Sequence, residues 1–353
     1  MNRLRLIRRN NDSLLVKIAV PIISVLLAIL VGWVFLALSG YDAAETYRRM
    51  FQGAFGSAYN ISETIVKAIP LALAGLAVSV AFRMKLWNIG AEGQLYMGAF
   101  AAGGIVMIMG DWPSLVLLPL MLIAGFVAGA LWGLIPGTLR ALWNVNETIT
   151  SLLLNYVAIS WVSYLVFGPW KDPNAMGFPL APRFPEAAYL PALHGSRVHI
   201  GILVAIVVAI ILYILLKYTR WGYEVRVIGE SHEAARYAGM NVARNIMLVM
   251  LVSGGIAGIT GMIEVSGITH RLQQDISAGY GYTGIIVAWL ARLNPFAILL
   301  VAFLFGALLV GGFGVQTYGI PYAIVLMLQG AVLFFLLAGE IMIKYRVTTS
   351  RED

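Results

Sequence analysis

Residues 228–240 read IGESHEAARYAGM. The stretch carries Glu230, His232, Glu233 and Arg236 between two long apolar runs, and this density of charge keeps it out of lipid. Ser231 has the chemistry of a helix N-cap and Gly239 that of a left-handed stop, so a short polar helix is expected between them. A plain connector between two membrane spans needs only a few residues. Ala234, Ala235 and Ala238 give this helix small faces, and Tyr237 gives it one aromatic anchor. It either docks in a groove of another protein, with little side-chain entropy to lose, or lies on the membrane surface as a connector.

Outward from this helix the chain is apolar. Of its 353 residues 60% are hydrophobic and 12% charged, whereas soluble domains carry about 25% charged residues. Runs such as Leu115–Leu134 and Ile200–Leu216 approach or reach the roughly 20 residues that cross a bilayer core. About ten spans are expected, at 14–38, 62–82, 88–109, 114–140, 147–167, 199–217, 245–265, 282–292, 296–312 and 320–343. The eighth is too short to cross as a straight helix, so it is broken or continues from the polar stretch before it. The opening MNRLRLIRRN precedes an apolar run too long for a cleaved leader, and 14–38 reads as a retained signal-anchor.

Lysine and arginine set the orientation. With both termini inside, 17 of the 24 basic residues face the cytoplasm and 7 face out. The expected fold is therefore an all-α polytopic membrane protein of about ten transmembrane helices, some broken or re-entrant, with N- and C-termini cytoplasmic. It forms one membrane domain over 1–353, with a cytoplasmic loop at 218–244 and extracytoplasmic segments at 41–62 and 169–198. The first outer segment contains DAAETYRRMFQGAF and reads as an interfacial amphipathic helix. The second holds Pro173, Pro179, Pro182, Pro185 and Pro191 and is expected to be an ordered loop with little regular structure. Each either caps helix ends or meets an extracytoplasmic partner.

Gly125, Gly129, Gly133 and Gly137 repeat every fourth residue, and Gly254, Gly258 and Gly261 nearly do. Such stripes let helix backbones approach closely. FRMKLWNIG (82–90) and WLARLNP (289–295) faintly echo one another, each a basic-then-Asn break between spans.

Several chemistries are excluded. The chain has no Cys, hence no disulfide and no thiolate metal ligand. Its four His form no HxxxH or HExxH pair. It has no Gly-Lys pair and so no P-loop, and it cannot hydrolyse ATP by that device. The net charge of +7 reads as loop bias and not as a nucleic-acid surface.

The polar residues inside or beside spans are the candidates for a substrate pathway. In WNIGAEGQ, Asn88 is placed to cap the third span, with Glu92 on the same face in its first turn and Gln94 beyond. This is either a well-capped helix start or a polar cluster at an inner gate. In NVNETITSLLLNY, Asn144 and Glu147 have capping-box spacing around Asn146, while Asn155 lies two turns inside an apolar span. An unpaired amide there costs on the order of 1 kcal/mol or more, so Asn155 bonds a neighbouring helix or lines a wet path. Glu264, His270, Arg271 and Asp275, leading to Tyr280 and Tyr282, read as a broken re-entrant segment at the outer mouth, or as a charged outer loop. Glu340 and Lys344 are spaced for an interfacial pair.

EAARYAGM followed by GGIAGITGMIEVSG closely resembles the coupling-helix region of ABC importer permeases. LWNIGAEGQLYMGAF (86–100) resembles a signature of sugar, nucleoside and branched-chain amino-acid permeases. NVNETITSLLLNY (144–156), GYGYTGIIVAWLARLNP (279–295) and YRRMFQGAFGSAYNISETIVKAIPLALAGL (47–76) are most similar to the nucleoside and simple-sugar branch. The resemblance covers nearly the whole chain. It implies a permease subunit in a bacterial inner membrane, importing nucleosides by alternating access and doing no bond chemistry. It implies no cofactor in this chain, ATP and Mg being bound by a separate ATPase. It implies coupling to that ATPase through Glu230, Ser231, Glu233, Ala234, Ala235, Tyr237 and Gly239. Further implied partners are a second permease chain, commonly different from the first, and an extracytoplasmic substrate-binding protein. Other readings are the same machinery for a simple sugar such as ribose or galactose, an ion-coupled secondary transporter, and a membrane enzyme or scaffold. The acids Glu92, Glu147 and Glu264 lie near span ends and not at the midplane, which counts against ion coupling.

Overall fold

The structure is a computed structural model that describes residues 3–8, 14–193 and 196–350, with side chains placed for 19–193 and 196–339. The Glu340–Lys344 pair lies outside the described side chains. A helix stands at each of the ten expected spans. They are α1 (Leu14–Leu38), α3 (Ala58–Arg83), α4 (Ala91–Met109), α5 (Ser114–Trp143), α6 (Glu147–Phe167), α7 (Gly201–Tyr218), α10 (Val242–Glu264), α11 (Tyr280–Leu290), α12 (Pro295–Gln316) and α13 (Ala323–Lys344). Three further helices are α2 (Ala43–Phe55), α8 (Arg220–Glu230) and α9 (His232–Tyr237). By length and composition seven of the helices can cross a membrane; α4, the short α11 and the described part of α13 fall outside that set. Several boundaries move. α3 starts at Ala58, so the end of the expected outer segment 41–62 belongs to the span. The expected loop 218–244 contains two helices, α8 and α9, and the start of α10.

The fold is helical as expected, with one short strand pairing added to it. Strands β1 (Arg3–Arg8) and β2 (Tyr345–Ser350) pair antiparallel, from Arg3 opposite Ser350 to Arg8 opposite Tyr345. RLRLIR alternates polar and apolar residues from Arg3 to Leu6, and YRVTTS is rich in β-branched and aromatic residues, which suits extended backbone. The pairing joins residues more than three hundred positions apart, so only the tertiary structure reveals it.

The chain forms two compact units, Ala58–Ala307 and Met1–Ser57 with Leu308–Asp353. In the larger unit α3 and α10 are central. Of the most apolar 18 residues of each helix, 89% are buried in α3 and 78% in α10, against 28% in α5 and 33% in α6 and α7. The glycine stripes explain the packing. Gly129 and Gly133 of α5 face Gly254 of α10, and Gly125 and Gly129 face Gly258. A Cβ on Gly258 would strike the Gly125 carbonyl, and one on Gly98 of α4 would strike Gly258. Three helices therefore meet backbone to backbone, a contact open only to residues without a side chain.

In the smaller unit α1 packs on α13, where Ser24 Oγ donates to the Phe335 carbonyl at 3.1 Å. α2 is the expected amphipathic helix, N-capped by Asp42, whose side chain accepts from Glu45 N. Its Tyr47 hydroxyl donates to the Ile29 carbonyl at 2.9 Å, and the Arg49 guanidinium lies 3.7 Å from the Tyr318 ring centre. Hydrogen bonds from Arg48 and then Arg49 lower the Glu45 carboxyl to about 2.

Candidate functional site

α9 has the caps expected of it. Ser231 Oγ accepts from Ala234 N at 3.2 Å, and Gly239 ends the turn at φ +73°. Met240 N donates to the Ala235 carbonyl, satisfying an otherwise orphaned acceptor. The alanines part company in the fold: Ala235 is fully buried, whereas Ala234 and Ala238 are exposed. Tyr237 is 95% exposed, and Glu233 is exposed as well. Glu230 stands outside α9, as the exposed last residue of α8. Ala235 thus anchors the helix inward while the neighbouring face points to solvent.

α8, which the sequence reading missed, connects α9 to the bundle. Thr219 Oγ1 caps it by accepting from Gly222 N at 3.1 Å. Val225, Ile228 and Gly229 form its buried side, with Gly229 against the Arg83 carbonyl, where a Cβ would not fit. Arg83 in turn donates from Nη2 to the Leu293 carbonyl at 2.6 Å. The two echoing breaks of the sequence therefore meet. Both use left-handed backbone, at Lys85 (φ 57°) and at Arg292 and Leu293 (φ 51° and 58°). Trp87 stacks on Trp289 at 5.8 Å, with Phe82 tilted against both.

Most of the pathway candidates gather in a buried hydrogen-bonded knot around residues 86–94. Asn88 precedes α4, whose N-cap is Gly90. Asn88 does not share a helical face with Glu92 as expected, because the chain is not yet helical there. Instead its Nδ2 donates to Gln94 Oε1 at 3.1 Å and to Ser253 Oγ at 2.9 Å, and its Oδ1 accepts from Gln94 Nε2 and Gly90 N. Ser253 Oγ passes the chain on to the Ala77 carbonyl at 2.7 Å. Asn155 Oδ1 accepts from Gly93 N at 2.8 Å, and its Nδ2 donates to the Ile89 carbonyl and the Tyr282 hydroxyl. Glu92 Oε2 accepts from Gly281 N at 2.7 Å. Glu147 takes Trp87 N and the Arg140 guanidinium, each at 3.3 Å. The capping box does not form: Asn144 ends α5 in left-handed backbone, and Asn146, which is exposed, caps α6 through Thr148 N and Ile149 N. Tyr280 is buried beside Lys67, whose Nζ meets its hydroxyl at 3.0 Å. The knot ties α3, α4, α6, α10 and α11 together. Ser151 Oγ, which accepts from Ile89 N at 3.2 Å, and Ser253 complete it and were missed, since a lone serine in an apolar run carries no distinguishing pattern.

At the opposite end α10 passes into a single π turn, Val265–Thr269, and then irregular backbone up to Gly279. This is the broken segment expected of 264–284. The Pro-rich loop runs along it: Ala181 N donates to the Leu272 carbonyl, Phe184 N to His270 and Leu190 N to Ser266. Tyr189 stacks on His270 at 3.9 Å. Arg197 pairs with Glu63 at 3.0 Å and meets the Tyr59 hydroxyl at 3.3 Å.

A close-packed helical membrane bundle with an exposed capped helix on one face defines the class. Residues 60–337 match the family described as branched-chain amino acid transport system, permease component, and the chain belongs to that family. It is 40% identical to glucose ABC transporter permease protein TsgB13 of Haloferax volcanii, over 93% of this chain and 89% of that one. It is 36% identical to guanosine ABC transporter permease protein NupP of Bacillus subtilis, over 90% and 92%. It is 32% identical to nucleoside ABC transporter permease protein NupB of Lactococcus lactis, over 91% and 90%. The chain is a multi-pass permease, a transport component and not an enzyme.

Proposed function

We propose that this chain is the permease subunit of an ATP-binding-cassette importer for nucleosides in a bacterial cytoplasmic membrane, working as one permease domain. The observation that carries the reading is α9, which is anchored inward by Ala235, open to solvent at Ala234 and Tyr237, and linked through α8 to the break at 83–87. With 218–244 and both termini cytoplasmic, a separate ATPase holding ATP and Mg receives α9. Its closure pushes on α8 and so on the polar knot, and the bundle alternates between outward- and inward-facing states. This chain itself carries no cofactor. Asn88, Glu92, Gln94, Glu147, Asn155, Tyr280 and Tyr282 hold the helices that switch, and Asn146 caps one of them. A substrate-binding protein delivers to the outer segments, and a second permease chain, different from this one, completes the pair. A second guanosine ABC transporter permease protein of Bacillus subtilis, NupQ, is 26% identical over 70% of this chain, in keeping with paired permeases.

Carriage of a simple sugar is the second reading, favoured by the 40% identity to the Haloferax protein. Both classes of cargo present hydroxyl-rich rings. Competition uptake separates them: excess guanosine suppresses labelled-nucleoside uptake under the first reading, and excess glucose or ribose does so under the second. The coupling is tested with Ala234→Trp and Tyr237→Ala. Transport is expected to fall at least tenfold, with loss of ATPase co-purification and normal insertion; unchanged transport in both variants overturns the docking role.

A further inference from the structure

Below the end of α7 lies a cavity of about 800 Å³ that the permease reading leaves without a use. Lys217, Arg220, Arg226 and Arg244 stand in its wall, with Glu224 as the one carboxylate. None of the four cations pairs with a carboxylate among the described residues. Glu224 is engaged by Asn245 Nδ2 at 2.7 Å. The wall also holds Trp221. Lys217 Nζ donates to the Tyr213 hydroxyl at 2.7 Å and Arg226 Nη1 to the Leu216 carbonyl, which leaves Arg220 and Arg244 as the cations free to meet a ligand. This excess positive charge calls for an anion with several acceptor oxygens.

The position of the cavity selects the kind of anion. α7 carries an outward stripe of Leu203, Val207, Ile210, Ile211 and Ile214 that ends at Lys217 and Tyr218, on the cavity rim. Phosphate groups of a bilayer lie at that depth, and the stripe offers a bed for acyl chains. Basic pockets of this kind at a cytoplasmic helix end are chemically suited to anionic lipid headgroups. Ala238, Gly239 and Met240, at the end of α9, share the same wall. We propose that this cavity binds the headgroup of an anionic phospholipid of the inner leaflet and so anchors the docking helix to the membrane. The leaflet rests on the orientation proposed above; the site itself does not.

The test is lipid retention by the purified full chain, read by native mass spectrometry. Phosphatidylglycerol is expected to bind at least tenfold tighter than zwitterionic phosphatidylcholine, with inorganic phosphate failing to displace it at matched concentration. The double variant Arg220→Gln with Arg244→Gln should lose at least tenfold in phosphatidylglycerol affinity. Lys85→Gln, an exposed cation away from the cavity, should lose nothing. Equal retention of the two lipids, unchanged retention in the double variant, or displacement by phosphate overturns the proposal. No ATPase or substrate enters the measurement, so failure of the importer reading leaves the result intact. Outside labelling of Tyr237→Cys overturns only the leaflet.

Discussion

At the residue scale the knot makes the sharpest demand. Asn155→Ala would strand the buried Gly93 N–H and Ile89 carbonyl, each orphan costing about 1–3 kcal/mol. A fall in Tm of roughly 4–10 °C in detergent is expected, with transport lost in proportion to the unfolded fraction. His199 makes a pH prediction. It is buried with Nδ1 accepting from Gly201 N, and burial first, then His270, lowers its pKa to about 4. An unfolded chain protonates His199 below about 6.5, while the folded chain stays neutral until about 4. The contribution is therefore complete above about 6.5 and drains away as pH falls to 4, at up to about 1.4 kcal/mol per unit. Tm measured between pH 7.5 and 4.5 should fall less steeply in His199→Gln than in the parent. Asn155 was legible as a residue that needs partners, because an amide two turns into an apolar run has few options. Its partners were not, because the Gly93 N–H, the Ile89 carbonyl and the Tyr282 hydroxyl all come from other segments of the chain.

Elements were more legible than their contacts. Capping chemistry located α9 to within a residue, since Ser231 and Gly239 act on their own neighbours. α8 escaped notice because its buried face is short and its burial against the Arg83 carbonyl depends on a distant segment. The glycine stripes announced close approach and left the partner open; α5 against α10 is the answer. Gly258→Leu is expected to abolish recovery of monodisperse protein, because the side chain would meet the Gly125 carbonyl. Gly330→Ala, with nothing within 4 Å of the added carbon, should stay within about 0.5 kcal/mol of the parent. Equal recovery of the two variants would contradict the packing.

For the whole molecule, orientation is the open variable, and the absence of cysteine makes it measurable. Met176→Cys lies in the Pro-rich loop and Tyr237→Cys on α9, and both parent side chains are largely exposed. A membrane-impermeant maleimide should label the first in intact cells and the second only in inverted vesicles. The opposite pattern would reverse the molecule and remove α9 from any cytoplasmic ATPase.

The sequence alone determined that this is a helical membrane protein, where its long apolar helices lie to within a few residues, where α9 starts and stops, and the family to which it belongs. Those properties follow from local apolar length, from caps and from motifs read in order. Only the tertiary structure decided that the two basic-then-Asn breaks pack on each other, that Asn88, Gln94, Asn155 and Ser253 close a single knot, and that the terminal strands pair. Each joins segments far apart in the chain, and in a bilayer partner choice depends on backbone fit and hydrogen bonding between surfaces that look alike in one dimension.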